Sequence, residues 1–226
     1  DTARLAQANR KIGLGVMGFA DCLYMLGIPY DSQQAVRFGE TIMSFINKNA
    51  RSAGSELADL RGPFPNWDQS TWRTKEKVRN ASITCVAPTG TISIIADCSS
   101  GIEPVYSLVF TRQVLAGMKL LQIDPIFKQT AQKLGFYSEN LEKQITKTGS
   151  IQKNAQIPPK IRKIFKSAYD ISPKWHILMQ AAFQRHCDAA VSKTINFPEK
   201  AAPADVEKAY ILAYRLGCKG ITIYRQ

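Results

Sequence analysis

A mixed α/β fold follows from three features of this sequence. Helical periodicity alternates with short β-branched runs, the links between them are brief, and the composition is that of a chain with a core. Hydrophobic residues make up 45% and charged residues 21% of the 226 positions, which excludes a disordered tail and a disulfide-knotted miniprotein. The length suits one large α/β unit or a piece of something larger.

The elements can be justified in chain order. Ile12 to Tyr30 carries a single charge, Asp21, and raises the question of a membrane span. Gly13, Gly15, Gly18, Gly27, Pro29 and the central acid weigh against insertion and predict a buried helix preceded by a tight turn. The longest helix is predicted from Ser32 to about Leu60, where Phe38, Ile42, Ile46, Ala50, Ala53, Leu57 and Leu60 recur at helical steps. Arg61-Gly62-Pro63 then stops it.

Ile83 to Ala96 contains no charge and reads as strand, tight turn, then helix. Pro88 breaks the strand, Gly90 lets the backbone approach a bulky ligand, and Thr89, Thr91 and Ser93 put hydroxyls at the predicted helix N-terminus. Unpaired amides and the positive end of a helix make such a place an anion site, above all for phosphate. A plain N-cap, with Thr and Gly present for turn geometry, accounts for the same residues. The lysine of a Walker A loop is missing, and the glycine spacing of a dinucleotide fingerprint is not there.

Asp124-Pro125 and Gly135 bracket a shorter helix. Ser172-Pro173 opens another, with Trp175, Leu178, Ala182, His186 and Ala189 expected on one face, and it runs into the β-branched stretch Val191 to Phe197, ended by Pro198. The pattern repeats: Pro203 starts a helix with Val206, Ala209, Ala213 and Leu216 inward, Gly217 ends it, and Gly220 to Tyr224 is expected as a buried strand. Helix, strand, helix, strand with short links is the order of a parallel sheet or barrel.

The net charge is +12, and residues 114–226 carry most of the excess, with 18 basic and 8 acidic side chains against 12 and 10 in residues 1–113. Lys143, Lys147, Lys153, Lys160, Arg162, Lys163 and Lys166 form a run without an acid among them. Such a surface attracts polyanions or serves as a solvated face. Five scattered cysteines without a C-x-x-C pair fit neither a disulfide framework nor a zinc ribbon, which implies a reducing, cytoplasmic setting. His176 and His186 lack a flanking ligand pattern, so no metal site is expected from this chain, and Asp1-Thr2-Ala3-Arg4 is not the start of a signal peptide. The chain enters a helical pattern at once and stops on Gln226 directly after a strand, as a fragment or one half of a split protein would.

Ala87-Pro88-Thr89-Gly90-Thr91-Ile92-Ser93, followed by Cys98-Ser99-Ser100-Gly101-Ile102-Glu103-Pro104, resembles the substrate-phosphate loop of class II, adenosylcobalamin-dependent ribonucleotide reductases. Asn9 to Asp21, Met179 to Gln184, Val191 to Pro198 and Gly217 to Arg225 are similar to the same family, in family order; Leu120 to Ser172, with the lysine run, diverges. The resemblance implies the C-terminal part of a ten-stranded α/β barrel of the ribonucleotide reductase type, over residues 1–226. It implies a ribonucleoside di- or triphosphate substrate, adenosylcobalamin as cofactor and a thioredoxin-like thiol reductant. A complementary N-terminal part would carry the family's Asn-x-Cys-x-Glu catalytic motif, which this sequence lacks. Substrate phosphates would then lie on Pro88, Thr89, Gly90, Thr91, Ile92 and Ser93, through the amides of Thr89 to Ser93 and the hydroxyls of Thr89 and Ser93.

No catalytic residue is expected in this chain, which alone should be inactive. Cys85 and Cys218 are read as packing thiols, and Glu103 as a structural carboxylate or a ligand contact. Two other assignments are weighed. One is the large subunit of a metal-dependent class I reductase. The other is a basic nucleic-acid-binding module, which the absence of stacking aromatics and of helix-turn-helix or zinc signatures argues against.

Overall fold

Two segments of this chain approach more closely than any residue but glycine permits. A Cβ at Gly15 would overlap the carbonyl oxygen of Cys85, and one at Gly13 would stand 2.8 Å from the Cys85 Cβ. A computed structural model describes residues 1–113 and 119–226. In chain order it contains α1 (Thr2–Asn9), α2 (Phe19–Leu26), α3 (Gln33–Arg61), α4 (Ile92–Ile95), the strands β1 (Val109–Gln113) and β2 (Lys119–Ile123), α5 (Pro125–Lys133), α6 (Glu139–Thr148), α7 (Pro159–Ile164), α8 (Pro173–Gln184), β3 (Thr194–Phe197), α9 (Pro203–Arg215) and β4 (Thr222–Arg225).

The close approach at Gly15 begins a row of parallel extended segments. Leu14 bridges Thr84, Val86 bridges Val191, and β3 pairs with β4 in the register Thr194↔Thr222 to Phe197↔Arg225. Parallel neighbours need long crossovers; α9 supplies the one between β3 and β4, laying Ala209 and Ala213 on Ile195 and Phe197. Beside α9, on the same side of the row, α2, α3 and α8 build the main core from Phe19, Leu23, Met43, Met179 and Phe183, with Val86 and Val191 pointing into it. Phe19 sits edge-on to Phe183 at 5.1 Å and stacks on Phe38 at 6.2 Å. Gly39 makes room for the α3–α8 crossing, since a Cβ there would come within 2.6 Å of the Phe183 ring. A separate core of Phe127, Leu141, Ile145 and Ile161 joins α5, α6 and α7, with Tyr24 on α2 as its link to the rest.

The helix limits follow their caps. The Ser32 hydroxyl accepts from the Ala35 amide, Asp124 from Phe127 and Ser138 from Leu141. Three sequence expectations need correction. The α8 helix ends at Gln184, so His186 and Ala189 lie beyond it, and it has no single apolar face: Met179, Ala182 and Phe183 pack in the main core while Ile177 packs against β3 and α9. The β4 strand exists but is mostly exposed, because it is the last strand of the row among the described residues and only Ile223 turns toward α9. The antiparallel β1–β2 hairpin was not expected, and part of its sequence lies outside the described side chains. The helix expected within Ile12 to Tyr30 covers Phe19–Leu26 only, and no described helix is long and apolar enough to cross a membrane.

If the Gly15 contact fixes the parallel row, Gly15→Ala forces the Leu14 and Cys85 segments apart and lowers unfolding stability in urea by about 2–3 kcal/mol, the cost of overpacking a site that cannot relax. A midpoint within error of the unsubstituted protein would show that this approach is not a constraint.

Candidate functional site

The uncharged segment is pinned at its start and open at its end. Asp188 accepts from the amides of Ile83 (2.9 Å) and Thr84 (3.3 Å), while its own amide donates to the Thr84 hydroxyl at 2.9 Å. Arg51 holds the other Asp188 oxygen at 2.6 Å and lies over the Trp72 ring. From this fixed base, side-chain alternation sends Val86 into the core and Cys85 to the opposite side. Pro88 then ends the extended run, and Thr89 takes φ +53°.

That left-handed turn decides which groups remain free. The amide of Ser93 donates to the Thr89 carbonyl at 3.0 Å, and the Ser93 hydroxyl is engaged with the Gly90 carbonyl and with Ser100. The amides of Thr89, Gly90, Thr91 and Ile92 have no acceptor among the described residues. Gly90, Thr91 and Ile92 are exposed and Thr89 is half-exposed. Four consecutive N–H groups on this exposed turn are thus without an internal acceptor among the described residues, an arrangement that can bind an anion. Of the predicted phosphate residues, Pro88 to Ile92 sit together on this open turn. Ser93 is buried and holds the turn from within, so its amide and hydroxyl are not available. The helix that follows has only four residues, and the site therefore relies on the individual amides.

Segment Ser99 to Glu103 backs the loop like a strap. The Gly101 amide donates to the Thr89 hydroxyl at 2.7 Å. The strap's beginning is tied to α2, where Asp21 accepts from the Ser99 amide at 2.6 Å and the Gly18 amide donates to the Ser99 carbonyl at 2.7 Å. Burial pushes the Asp21 carboxyl above its ordinary range. The strap's end is tied to β3. Glu103 accepts from the Thr194 amide at 2.6 Å and pairs with Lys193, whose side chain is wholly buried. The Lys193 ammonium also donates to His176 Nδ1 at 2.8 Å and to the Thr194 carbonyl. His176 Nε2 donates to the Ala168 carbonyl at 3.1 Å, which leaves Nδ1 as the acceptor. Burial and the Lys193 charge lower the His176 pKa to about 3.

Beside the loop an open cleft of about 440 Å³ is lined by Cys85, Pro88, Ser192, Gly220 and Thr222, with Gln180 at its back. Gln180 donates to the carbonyls of Val191 (3.1 Å) and Gly220 (2.8 Å), bridging the entries to β3 and β4, and its buried Oε1 has no partner among the described residues. A ligand body can lie in this cleft with its anionic end on the adjoining turn. Cys85, expected as a packing thiol, is half-exposed on the cleft wall, because nothing described covers that face of the strand. Cys218 packs against the α9 core as expected. Glu103 is engaged structurally, by Lys193 and the Thr194 amide. The lysine run is partly absorbed by the fold: Lys166 pairs with Asp31 at 2.5 Å, and Arg162 donates to the carbonyls of Ile157 and Gln152.

Sequence reasoning gave no role to Lys193, His176 or Gln180. The signal was present, since Lys193 is the one charge in an otherwise strand-like run and His176 and Gln180 stand in an apolar helix.

The family model described as "Ribonucleotide reductase, barrel domain" matches residues 1–78 and 74–224. A vitamin B12-dependent ribonucleoside-diphosphate reductase of Thermoplasma acidophilum is 51% identical over 223 residues, covering 98% of this chain and 29% of that protein. The protein of the same name in Mycobacterium tuberculosis (strain CDC 1551 / Oshkosh) is 46% identical over 97% of this chain and 32% of its own length. The chain therefore spans under a third of these curated relatives. Among solved structures, the class Id ribonucleotide reductase alpha subunit of Actinobacillus ureae superposes with a TM-score of 0.84 at 26% identity, over 99% of this chain and 40% of that one.

The neutral His176 makes a pH prediction. The unfolded chain protonates this imidazole below about pH 6.5, while the folded protein refuses the proton until about pH 3. Its stabilising contribution is therefore complete above pH 6.5 and is lost as the pH falls toward 3. In His176→Gln the unfolding free energy should fall less steeply across that window than in the unsubstituted protein; equal slopes would contradict the assignment.

Proposed function

The chain belongs to the ribonucleotide reductase family, whose barrel-domain model matches nearly all of it, and from that premise we propose that it supplies the substrate-phosphate-binding part of a vitamin B12-dependent reductase. In this reading the whole enzyme converts ribonucleotides to deoxyribonucleotides for DNA synthesis by thiyl radical chemistry. The terminal phosphates of a ribonucleoside diphosphate lie on the amides of Thr89, Gly90, Thr91 and Ile92, flanked by Pro88, and the nucleoside occupies the adjoining cleft. The observation that carries the proposal is the set of four amides without an acceptor among the described residues, beside that cleft. Backbone donors suit a charged phosphate because they are fixed in place before the ligand arrives and need no reorganisation when it binds. Holding the phosphate in one place fixes the ribose relative to groups elsewhere in the barrel, and an error of about an ångström in such positioning costs roughly a hundredfold in rate.

The remaining parts of the activity are assigned outside this chain. A complementary N-terminal part of the reductase carries the Asn-x-Cys-x-Glu motif, and a thioredoxin-like thiol reductant supplies electrons, so the chain alone does not turn over. The cofactor of the whole enzyme is adenosylcobalamin, in keeping with the names of the most similar curated relatives. The described residues offer no cluster of side chains that would hold a free metal ion. His176 has both ring nitrogens engaged, His186 faces Glu40 at 3.6 Å, and no cluster of three or more candidate metal ligands occurs among the described residues. The likeness to a class Id alpha subunit favours one competing assignment, a metal-dependent class I reductase. Dependence of turnover on added adenosylcobalamin separates the two.

Gly90 offers the most selective test of the phosphate site. A Cβ there meets nothing within 4 Å, and the residue is not in the left-handed region, so the fold itself does not require glycine. In the full-length protein Gly90→Val should leave the unfolding stability within about 0.5 kcal/mol. The same substitution should raise KM for the nucleotide about tenfold or more, by displacing the phosphate from the amides. An unchanged KM in a folded variant would remove the loop from the substrate site.

A further inference from the structure

Lys193 is a cation tied to the strap behind the proposed phosphate site, yet it cannot be a phosphate ligand. Its side chain has no exposed surface, Glu103 offsets its charge, and its three N–H donors go to Glu103, His176 and the Thr194 carbonyl. We propose that Lys193 is a positioning residue: the Lys193–Glu103 pair anchors the strap Ser99–Glu103, and the strap holds Thr89 in the left-handed turn that leaves four amides open. This rests on the assignment of Thr89–Ile92 as the phosphate site.

The connection can be followed atom by atom. A β-branched residue disfavours positive φ, so Thr89 needs an external hold. Within the turn it has the Ser93 amide on its carbonyl, and from outside, among the described residues, the Gly101 amide on its hydroxyl, at 2.7 Å. Gly101 itself sits at φ +47° with its back to the loop, where a Cβ would come within 3.1 Å of the Ala87 carbonyl. Its place is fixed by its neighbours. Ile102 is fully buried in the main core and its carbonyl accepts from the Tyr30 hydroxyl at 2.6 Å. Glu103 closes a tight turn through its amide to the Ser100 carbonyl at 2.9 Å, and its carboxylate is held by Lys193 and the Thr194 amide. A neutral residue at position 193 would leave that carboxylate one partner short in a site that is mostly closed to water, and the carboxylate would turn outward to be hydrated, taking the end of the strap with it. The loop and β3 are thereby coupled through one ion pair, although Lys193 touches neither the loop nor its ligand.

Calorimetric titration of the full-length protein with inorganic pyrophosphate tests this. Lys193→Met should raise the pyrophosphate Kd about tenfold or more and raise KM for the nucleotide by a similar factor. Glu103→Gln keeps one acceptor oxygen, enough for the Thr194 amide or for Lys193 but not for both, and it should fall between Lys193→Met and the unsubstituted protein. A Lys193→Met protein that unfolds at lower temperature but binds pyrophosphate normally would reduce the pair to a structural role and overturn the proposal. Should Lys193→Met not fold, normal affinity in Glu103→Gln overturns it equally. Failure of the unsubstituted protein to bind pyrophosphate is a different result, and it overturns the phosphate assignment on which the proposal stands.

Discussion

Thr89 is held in a conformation that its own side chain disfavours, and the geometry of the candidate site depends on that hold. A branched residue at φ +53° is about 1–2 kcal/mol less comfortable than in the right-handed region. The hydrogen bond from the Gly101 amide to its hydroxyl, together with the return bond from the Ser93 amide to its carbonyl, offsets that cost. The consequence is local and specific. With Thr89 turned this way, the next three amides find no acceptor among the described residues, and at Ser93 the chain resumes internal bonding.

The rest of the fold supplies a rigid frame for this turn. The Gly15 approach and the bridges at Thr84 and Val86 fix the segment before Pro88. Asp188 and Arg51 lock its beginning, and Phe19, Phe38 and Phe183 fill the space beneath it. The strap then closes the back of the loop between two anchors, one on α2 at Asp21 and one on β3 at Lys193. Placing a loop on fixed elements is what allows backbone amides to act as a preformed receptor. The buried polar groups are consistent with this. Lys193, His176 and Gln180 lie out of contact with the loop and bond carbonyls and carboxylates that join one segment to the next, which tightens the frame without adding charge to the site.

Much of this was legible in the sequence, and the parts that were not share a cause. The limits of α3, α5 and α9 follow from Ser32, Asp124-Pro125 and Gly217, because caps and breakers act locally. The open turn was foreshadowed by Pro88, Thr89 and Gly90 for the same reason. Errors arose where distant segments decide. Periodicity assigned α8 one apolar face, but two cores compete for it and bury it nearly all round. The β4 strand was expected to be buried from its apolar residues, yet burial is set by neighbours that a single strand does not encode. Ser93 looked like a ligand-binding hydroxyl until Ser100 and the Gly90 carbonyl engaged it. Lys193 and Glu103 are 90 positions apart, and nothing in either local sequence announces their pairing.

The family assignment concerns the chain as a whole, and the local geometry concerns one turn. Likeness along nearly the whole chain says which enzymes it belongs with, and the four free amides say what this portion can contribute. The most direct measurement is a crystal structure of the full-length protein with a ribonucleoside diphosphate bound. The account expects phosphate oxygens at about 3 Å from the backbone nitrogens of Thr89, Gly90, Thr91 and Ile92, with Ser93 still bonded to Thr89. A nucleotide bound with its phosphates elsewhere, and these amides facing water, would contradict it.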